Sequence, residues 1–169
     1  MKKLFLIFCF SPLAFILFAQ TDEVVEIRNY YNELKESMKE AEAHSGEYEF
    51  INYYVVKIQE NLHGMSMPAV GNYSGTTEKW FENDEENYGM DGRLVYKKST
   101  FEIAARTEFT EYVFKEGELI FCFLRTAGAE YRYYFKDDLL INYLAKNGEG
   151  DWNYYEKSDS EHLLKRAFD

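Results

Sequence analysis

The chain has few of the residues on which common catalytic and metal sites depend. Its 169 residues include two cysteines and three histidines. One cysteine, Cys9, lies in an apolar N-terminal stretch that we expect to be removed, so the mature chain keeps only Cys122 and can form no intramolecular disulfide. Because Cys122 lies in an apolar run with no group to stabilise a thiolate, a buried thiol is favoured over a nucleophile or redox thiol.

The sequence also lacks the spacings that hold cofactors. There is no His-x-x-x-His pair, no Cys-x-x-Cys, no EF-hand loop and no glycine-rich phosphate loop. None of the three histidines, His44, His63 and His162, stands in a known nucleophile frame, which disfavours a serine hydrolase. The sequence therefore predicts no catalytic residue and no cofactor.

Basic residues are outnumbered. The chain has 19 Lys and Arg against 30 Asp and Glu, a net charge of −11. Binding to phosphate backbones needs clustered cations, so a general nucleic-acid binder is excluded. An acidic surface favours a cationic partner and disfavours anionic surfaces.

The N-terminus has the pattern of a secretory signal. Lys2 and Lys3 precede an apolar stretch that ends at Ala19, which predicts a signal peptide over residues 1–19 with cleavage before Gln20. An uncleaved membrane anchor is the alternative, although the stretch is shorter than the roughly 20 residues that span a bilayer. A lipoprotein is rejected because bulky residues precede Cys9. We expect an exported protein, periplasmic or secreted, with no membrane attachment after cleavage.

Residues 20–169 read as a single domain without a linker. Apolar residues at steps of three and four predict an amphipathic helix over 23–42, with Lys35 among the residues opposite the buried stripe. Strands are expected at 51–60, 76–81, 94–98 and 101–106, with a loop over 62–75. Ser158, three residues before Glu161, predicts a capping box for a short helix over 161–168.

The second half contains an internal repeat. The segment at 112–120 recurs 21 residues later at 133–141, and residues 91–95 form a partial third copy. Each copy predicts a hairpin, giving four antiparallel strands at 109–115, 118–125, 130–136 and 139–145. Because residues 119–124 and 139–144 are apolar on both sides, part of the sheet must be covered on both faces or curl on itself. The predicted fold is α+β: an N-terminal helix packed on an antiparallel meander of about six to eight strands, with a short C-terminal helix.

Two sets of residues are candidates for binding. The alternating strand at 130–136 predicts an exposed face on which Arg132 and Tyr134, together with Trp80 and Tyr96, can form an aromatic and charged binding surface. Cross-strand pairing in an ordinary sheet is the alternative. His63, Met65 and Met67 in one flexible loop suit Cu(I), although loop residues with both methionines packed on the core are the favoured explanation of the motif.

The leader ending in Ala19-Gln20, the helix segment at 27–31 and the aromatic hairpins at 112–120 and 133–141 resemble uncharacterised secreted proteins of Bacteroidota. This resemblance implies an exported α+β domain and brings no catalytic residues.

Three functions remain open from the sequence. The first is a non-catalytic binding or interaction module for an unknown protein or small ligand of the cell envelope. The second is an envelope hydrolase that uses carboxylates in a sheet cleft. The third is copper binding through the loop that contains His63.

Overall fold

The structure, a computed structural model, describes residues 22–44, 52–68, 71–84, 86–104, 106–148, 150, 153–154 and 161–168. The predicted signal peptide and Ser158 of the predicted capping box lie outside these ranges. The described part contains two α-helices, seven long strands and two strands of two residues. Their bounds are α1 Asp22–Ala43, β1 Tyr53–Glu60, β2 Ser66–Met67, β3 Gly71–Glu82, β4 Arg93–Ile103, β5 Arg106–Lys115, β6 Glu118–Thr126, β7 Ala129–Lys136, β8 Leu139–Asn147, β9 Asn153–Tyr154 and α2 Glu161–Phe168.

Helix α1 confirms the predicted amphipathic helix to within one residue at each end. Four residues of its apolar stripe are buried against the sheet: Val24, Ile27, Leu34 and Met38. Asp22 and Glu23 occupy the first turn, where negative charge interacts favourably with the helix dipole. Among the helices of the described ranges, none is long and apolar enough to cross a bilayer.

The strands form an antiparallel meander in the order β1-β3-β4-β5-β6-β7-β8-β9, with β2 paired only to β3. This confirms the antiparallel sheet, and sheet predominates so strongly that α+β describes the molecule only loosely. The tight turns between β5 and β6 and between β7 and β8 lie where the sequence predicts them. Glu116 and Gly117 both have positive φ, as do Asp137 and Asp138, which matches the right-handed twist of the flanking strands.

Two strand predictions in the first half are wrong. Residues 94–98 and 101–103 of these two predicted segments belong to one strand, β4, because a neighbour on each side continues the hydrogen-bond ladder through residues 99 and 100. Arg106, at the end of the second predicted segment, already begins β5. Strand β3 begins at Gly71, inside the predicted loop, since its first residues pair with β2 and with the end of β4. Tertiary pairing here outweighs the local glycine signals.

The internal repeat corresponds to three pairs of antiparallel strands that share one pattern of residue pairing. Phe81 pairs with Leu94, and the equivalent pairs in the next two hairpins are Phe114 with Leu119 and Phe135 with Leu140. Immediately beyond each pair, the second strand carries one extra residue, a β-bulge at Val95, Ile120 or Ile141. The partial third copy at 91–95 therefore shares the residue pair and the bulge of the other two, although a connection with a short 3₁₀ helix, Gly89–Asp91, joins β3 to β4 in place of a two-residue turn.

Both faces of the central sheet are covered. On one face α1 packs on a cluster that includes Trp80, Tyr96, Val113, Phe121 and Tyr134. On the opposite face α2 packs through Leu163 and Ala167 on a second cluster, whose sheet members are Tyr112, Phe114, Leu119, Cys122, Tyr133 and Phe135. The two faces below are called the α1 face and the α2 face. The predicted double cover of the sheet is confirmed.

Candidate functional site

A cleft of about 330 Å³ opens where α1 crosses strands β5 to β7, and is called here the α1 cleft. The helix contributes one wall and three neighbouring strands contribute the floor and the other wall. Its lining residues are Arg28, Tyr31, Asn32, Glu111, Phe121, Phe123, Arg132 and Tyr134. Aromatic rings and charged groups thus meet in one concave site, the usual composition of a small-molecule site.

The carboxylate of Glu111 is the acceptor of a hydrogen-bond network beneath α1. Its Oε1 accepts from the buried hydroxyl of Tyr96 and from Lys35 Nζ at 3.2 Å, and its Oε2 accepts from the Tyr31 hydroxyl at 3.2 Å. Lys35 Nζ also donates to the Tyr96 hydroxyl at 3.0 Å. The network joins the helix to β4 and β5, and both carboxylate oxygens are engaged in it.

The tyrosines of this network act as donors. Burial, reinforced by the nearby Glu111 carboxylate, raises the pKa of Tyr31 to about 12. The same causes raise the pKa of Tyr96 far above its ordinary value of 10.0. Both phenols therefore stay protonated at neutral pH and stabilise the carboxylate. With its acceptors occupied by three donors, Glu111 is poorly placed to take a proton from a substrate.

Two guanidinium groups lie at the α1 cleft. Arg28 Nε donates to the Tyr134 hydroxyl at 2.9 Å, and its guanidinium carbon lies 5.3 Å from the centre of the Tyr134 ring. The terminal nitrogens of Arg28 have no hydrogen-bond partner among the described residues. Arg132 reaches the cleft from β7, where it lies between Phe123 and Leu144 in the register.

Aromatic rings line the cleft between these charges. The Phe121 ring lies 5.2 Å from the ring of Tyr31 and 5.2 Å from that of Tyr134, in tilted contacts that fix the geometry. Phe123 is only half-buried, so part of its ring is accessible in the cleft. The site can accept a flat or apolar group of a ligand beside the guanidinium groups of the protein.

The predicted exposure of the binding surface is wrong for three of its four residues. Trp80, Tyr96 and Tyr134 are only 2 %, 0 % and 1 % exposed, because α1 covers the face on which they lie. Tyr134 and the half-buried Arg132 do come together, as wall residues of the α1 cleft. Tyr96 does not line the cleft, but its hydroxyl donates to the lining residue Glu111. Trp80 lies further along the same face, where it donates to Glu78 at 2.8 Å and contacts Tyr53.

The predicted copper loop follows β1. His63 and Met65 are exposed, Met65 by 68 %, so the alternative that both methionines pack on the core is wrong for Met65. Its backbone is held instead by Asn61, whose side chain donates to the Met65 carbonyl at 2.7 Å and accepts from the Met65 amide at 2.9 Å. The side chain of Met67 lies outside the described part, and copper binding stays a prediction. Within the described ranges, no three His, Cys, Asp or Glu residues form a metal-binding group.

Cys122 lies in the core of the α2 face and is fully buried. Desolvation raises the pKa of its thiol far above the usual value, which suppresses the thiolate. The interpretation as a buried structural thiol is supported over that as a nucleophile.

Several carboxylates meet in one described cleft, at the start of α1, where Glu23, Glu26 and Glu118 share a space of about 130 Å³ with Lys115 and Lys136. A general acid needs a raised pKa. Hydrogen bonding to its own backbone amide and to Lys136 lowers the pKa of Glu23 instead. In the α1 cleft, Glu111 is the one carboxylate among the described lining residues.

Sequence reasoning missed Arg28, Tyr31, Lys35 and Glu111 as site residues. Lys35, expected on the solvent side of α1, turns back to the sheet, because its long aliphatic stem can run along the helix while the ammonium reaches Glu111. One signal was available. Glu111 alternates with Phe109 and Val113 on one side of β5, and a carboxylate on an otherwise apolar strand face requires buried partners.

Comparisons of the chain with protein-family models, with curated proteins and with solved structures gave no match.

Proposed function

We propose that the chain is an exported, non-catalytic binding module that holds a small organic anion in the α1 cleft. The observation that carries the proposal is the arrangement of Arg28 and Arg132 beside accessible aromatic carbon, in a cleft whose carboxylate is already neutralised. A guanidinium pairs with a carboxylate through two parallel hydrogen bonds, and the terminal nitrogens of Arg28 are the groups that make such pairs.

The charges of the cleft favour an anion despite the net charge of −11. Lys35 pairs with Glu111, and the other charged residues of the described lining, Arg28 and Arg132, are both cationic. Contacts at about 3 Å act far inside the screening length of about 8 Å in physiological salt, whereas charges elsewhere on the surface are largely screened. The acidic surface disfavours extended polyanions, and a compact anion in the cleft avoids most of that surface.

The aromatic walls select for an apolar portion in the ligand. Phe123 and Tyr31 are both half-buried, and burying their remaining apolar surface contributes roughly 25 cal/mol per Å². An aromatic or aliphatic carboxylate satisfies both the guanidinium groups and the rings.

The described lining of the α1 cleft has a single carboxylate, which supports a non-catalytic role over the envelope hydrolase. Hydrolysis by paired carboxylates needs two of them about 5–9 Å apart, one with a raised pKa. The described lining of the α1 cleft offers Glu111 alone, and Tyr31, Tyr96 and Lys35 already donate to it.

The test is a titration with benzoate, followed by the amide NMR shifts of the mature chain, with neutral benzamide as the matched probe. Ligands of this size bind at about 1 mM or tighter when they fit a site. We expect saturable shifts at Tyr31, Phe123 and Arg132 with benzoate and far weaker ones with benzamide.

Arginine variants decide whether the cleft is the site. Arg28→Gln should weaken benzoate binding about tenfold or more, because one charge-assisted pair is lost. Arg93→Gln is the matched control, since Arg93 pairs with Glu82 at the far end of β3. Equal binding of benzoate and benzamide, or equal loss in both variants, contradicts the proposal.

A further inference from the structure

The outer edge of β1 is open to pairing with another strand. Among the described residues β1 stands first in the strand order and pairs with β3 alone, over eight residues without a β-bulge or a proline. Short strands, bulges, prolines and lysines are the features that keep a sheet edge from pairing with another chain, and β1 has only Lys57. The opposite edge is better protected, because β8 carries the bulge at Ile141 and the last strand, β9, has two residues.

The backbone groups that point outward from β1 follow from its ladder with β3. The Asn83 amide donates to the Asn52 carbonyl at 2.9 Å, one step before the first register pair, Tyr53 with Glu82. An antiparallel ladder alternates between hydrogen-bonded and non-hydrogen-bonded pairs. The even-numbered residues of β1 therefore bond to β3, and the odd-numbered residues direct their N–H and C=O groups outward: Tyr53, Val55, Lys57 and Gln59.

Exposed apolar side chains are concentrated around this edge. Of the twelve large apolar residues that are exposed in the described chain, seven lie on β1 or beside its ends: Tyr54, Val55, Ile58, Leu62, Met65, Tyr88 and Met90. Gly89, between the last two, lies next to the Tyr54 ring. Scattered single apolar residues are normal on a surface, whereas a group of them marks an interaction site.

The edge is also a place where two acidic copies can meet. The chain carries a net charge of −11, so two copies repel each other over most of their surfaces. Strand β1 has one cation, Lys57, and one anion, Glu60, and is neutral in sum. Lys57 lies opposite Glu78 of β3, so its charge is offset within its own copy. Little repulsion therefore keeps a second β1 strand away.

We propose that β1 pairs antiparallel with β1 of a second copy, about a two-fold axis at Val56, so that the two sheets join into one. A two-fold axis perpendicular to the sheet reverses the strand and keeps each face on its own side, so odd-numbered residues meet odd-numbered residues. Val55 then exchanges both backbone hydrogen bonds with Lys57 of the second copy, and Tyr53 does so with Gln59. The pairing makes about eight backbone hydrogen bonds.

This register sets apolar side chains opposite each other. Val56 meets Val56 of the second copy and Tyr54 meets Ile58, in the non-hydrogen-bonded pairs whose side chains approach most closely. Aromatic and β-branched pairs of this kind stabilise antiparallel sheets. Lys57 lies opposite Val55, and Glu60 lies opposite Asn52, so no like charges meet.

The neighbouring registers fit less well. An axis at Lys57 sets the two ammonium groups opposite each other, which destabilises a strand pair. An axis at Ile58 sets Val56 opposite Glu60 and moves the partner of Tyr54 to Leu62, beyond the end of β1. The order of residues in β1 therefore selects Val56 as the centre.

The first test is the mass of the mature chain in solution. Sedimentation equilibrium from about 1 µM to about 1 mM should show the mass rise from one copy to two, because an interface of one strand and its flanking loops belongs to the weak class. A mass of one copy throughout overturns the proposal, and this outcome includes the case in which the chain covers its own edge. Growth beyond two copies overturns it as well, since a two-fold pairing is closed.

A charge on β1 tests the side-chain contacts. Ile58→Glu should weaken the dimer at least tenfold, because the pair of Ile58 with Tyr54 occurs twice and each pair then buries a carboxylate. Ile103→Glu is the matched control: Ile103 is 42 % exposed against 43 % for Ile58, and it lies at the end of β4. Both side chains are exposed, so both variants should keep the amide NMR dispersion of the folded chain. Equal weakening in both indicates general charge repulsion and overturns the proposal.

A mixture of two variants tests the register. Tyr54→Lys alone should weaken the dimer as Ile58→Glu does. In a dimer of one variant with the other, an ammonium lies opposite a carboxylate at one Tyr54–Ile58 position, and the original pair is kept at the second. The mixed dimer should therefore be at least tenfold tighter than the dimer of either variant alone. Absence of this recovery overturns the pairing of Tyr54 with Ile58.

Hydrogen exchange distinguishes strand pairing from contact between sheet faces. The amides of Val55 and Lys57 should exchange at least tenfold faster when the chain is diluted from dimer to monomer, because their bonds are made only in the dimer. The amides of Val56 and Ile58 bond to β3 and should exchange equally in both states. If Val55 and Lys57 also exchange equally in both states, the proposal is overturned.

The interface is independent of the α1 cleft, with which β1 shares no described lining residue. Arg28→Gln should dimerise as the wild type does, and Ile58→Glu should bind benzoate as the wild type does. Loss of the dimer in Arg28→Gln with retention in Ile58→Glu overturns the assignment to β1, whatever the outcome of the benzoate titration.

Discussion

The two faces of the sheet hold their helices by different forces. On the α1 face, directional hydrogen bonds from Tyr31 and Lys35 to Glu111 supplement the apolar stripe of a helix of 22 residues. On the α2 face, a helix of 8 residues packs through Leu163 and Ala167 on an aromatic cluster, with Lys97 at its last turn. The long helix therefore engages a buried carboxylate through two of its side chains, whereas the short helix depends mainly on two buried apolar side chains, beside one ion pair of Arg166 with Glu108. The following predictions test this contrast, from the largest effect to the smallest.

Phe135→Ala should cause the largest loss of stability and should act on the α2 face alone. Phe135 is fully buried, and removing such a ring costs about 4 kcal/mol. Urea unfolding measures the loss, which should be the same from pH 6 to pH 9 because no titrating group is removed. Phe168→Ala is the matched control. Phe168 is 56 % exposed, and its loss should cost less than about 1 kcal/mol. Similar costs for both variants contradict an apolar basis for the α2 face.

Glu111→Ala should reduce stability through the polar network of the α1 face. The hydroxyls of Tyr31 and Tyr96 lose their acceptor, and each buried group left unpaired costs about 1–3 kcal/mol, so a loss of about 2–3 kcal/mol is expected in urea unfolding. Glu36→Ala on the exposed side of α1 is the control and should change stability by less than about 0.5 kcal/mol. If the two variants cannot be distinguished, the network is not a stabilising element.

The alkaline titration of the tyrosines should show the smallest effect, specific to the α1 network. The folded pKa of Tyr31, about 12, exceeds its unfolded value of 10.0. Its contribution to stability is therefore complete below pH 10 and is lost as the pH rises through about 12. Ultraviolet absorbance of tyrosinate should show phenols that titrate late in the folded chain, and Tyr31→Phe should remove one of them. A folded curve identical to that of the urea-unfolded chain contradicts the burial of these phenols.

The helices and the hairpins could be predicted from the sequence because local pattern determines them. The apolar spacing of α1, the turns at Glu116-Gly117 and Asp137-Asp138, and the bounds of α2 each depend on neighbouring residues. The continuity of β4 and the early start of β3 depend on partners distant in the chain, which explains why local glycine and turn signals misplaced them.

The candidate sites could be predicted only in fragments. Arg132 and Tyr134 were identified by alternation in β7, but alternation separates two faces without saying which of them a helix covers. One cleft on the α2 face is lined by Lys79, Lys97 and Arg166, which come from three separate segments that no spacing within the chain relates. Sites of this kind become visible only when the register of the strands is known.

The bulges at Val95, Ile120 and Ile141 lie in one row across the sheet, each at the third residue of its strand. In the language of crystals, they form a line dislocation in the pleat. On one side of the line, odd residues of β6 such as Phe121 and Phe123 lie on the α1 face; on the other side, Leu119 lies on the α2 face. In β4, β6 and β8, the alternation of side chains between the α1 face and the α2 face therefore shifts by one residue at the bulge. Each repeat therefore contains the bulge that shifts, by one residue, which of its side chains face α1 and which face α2. All three strand pairs thus present apolar side chains to the helices on both sides of the sheet.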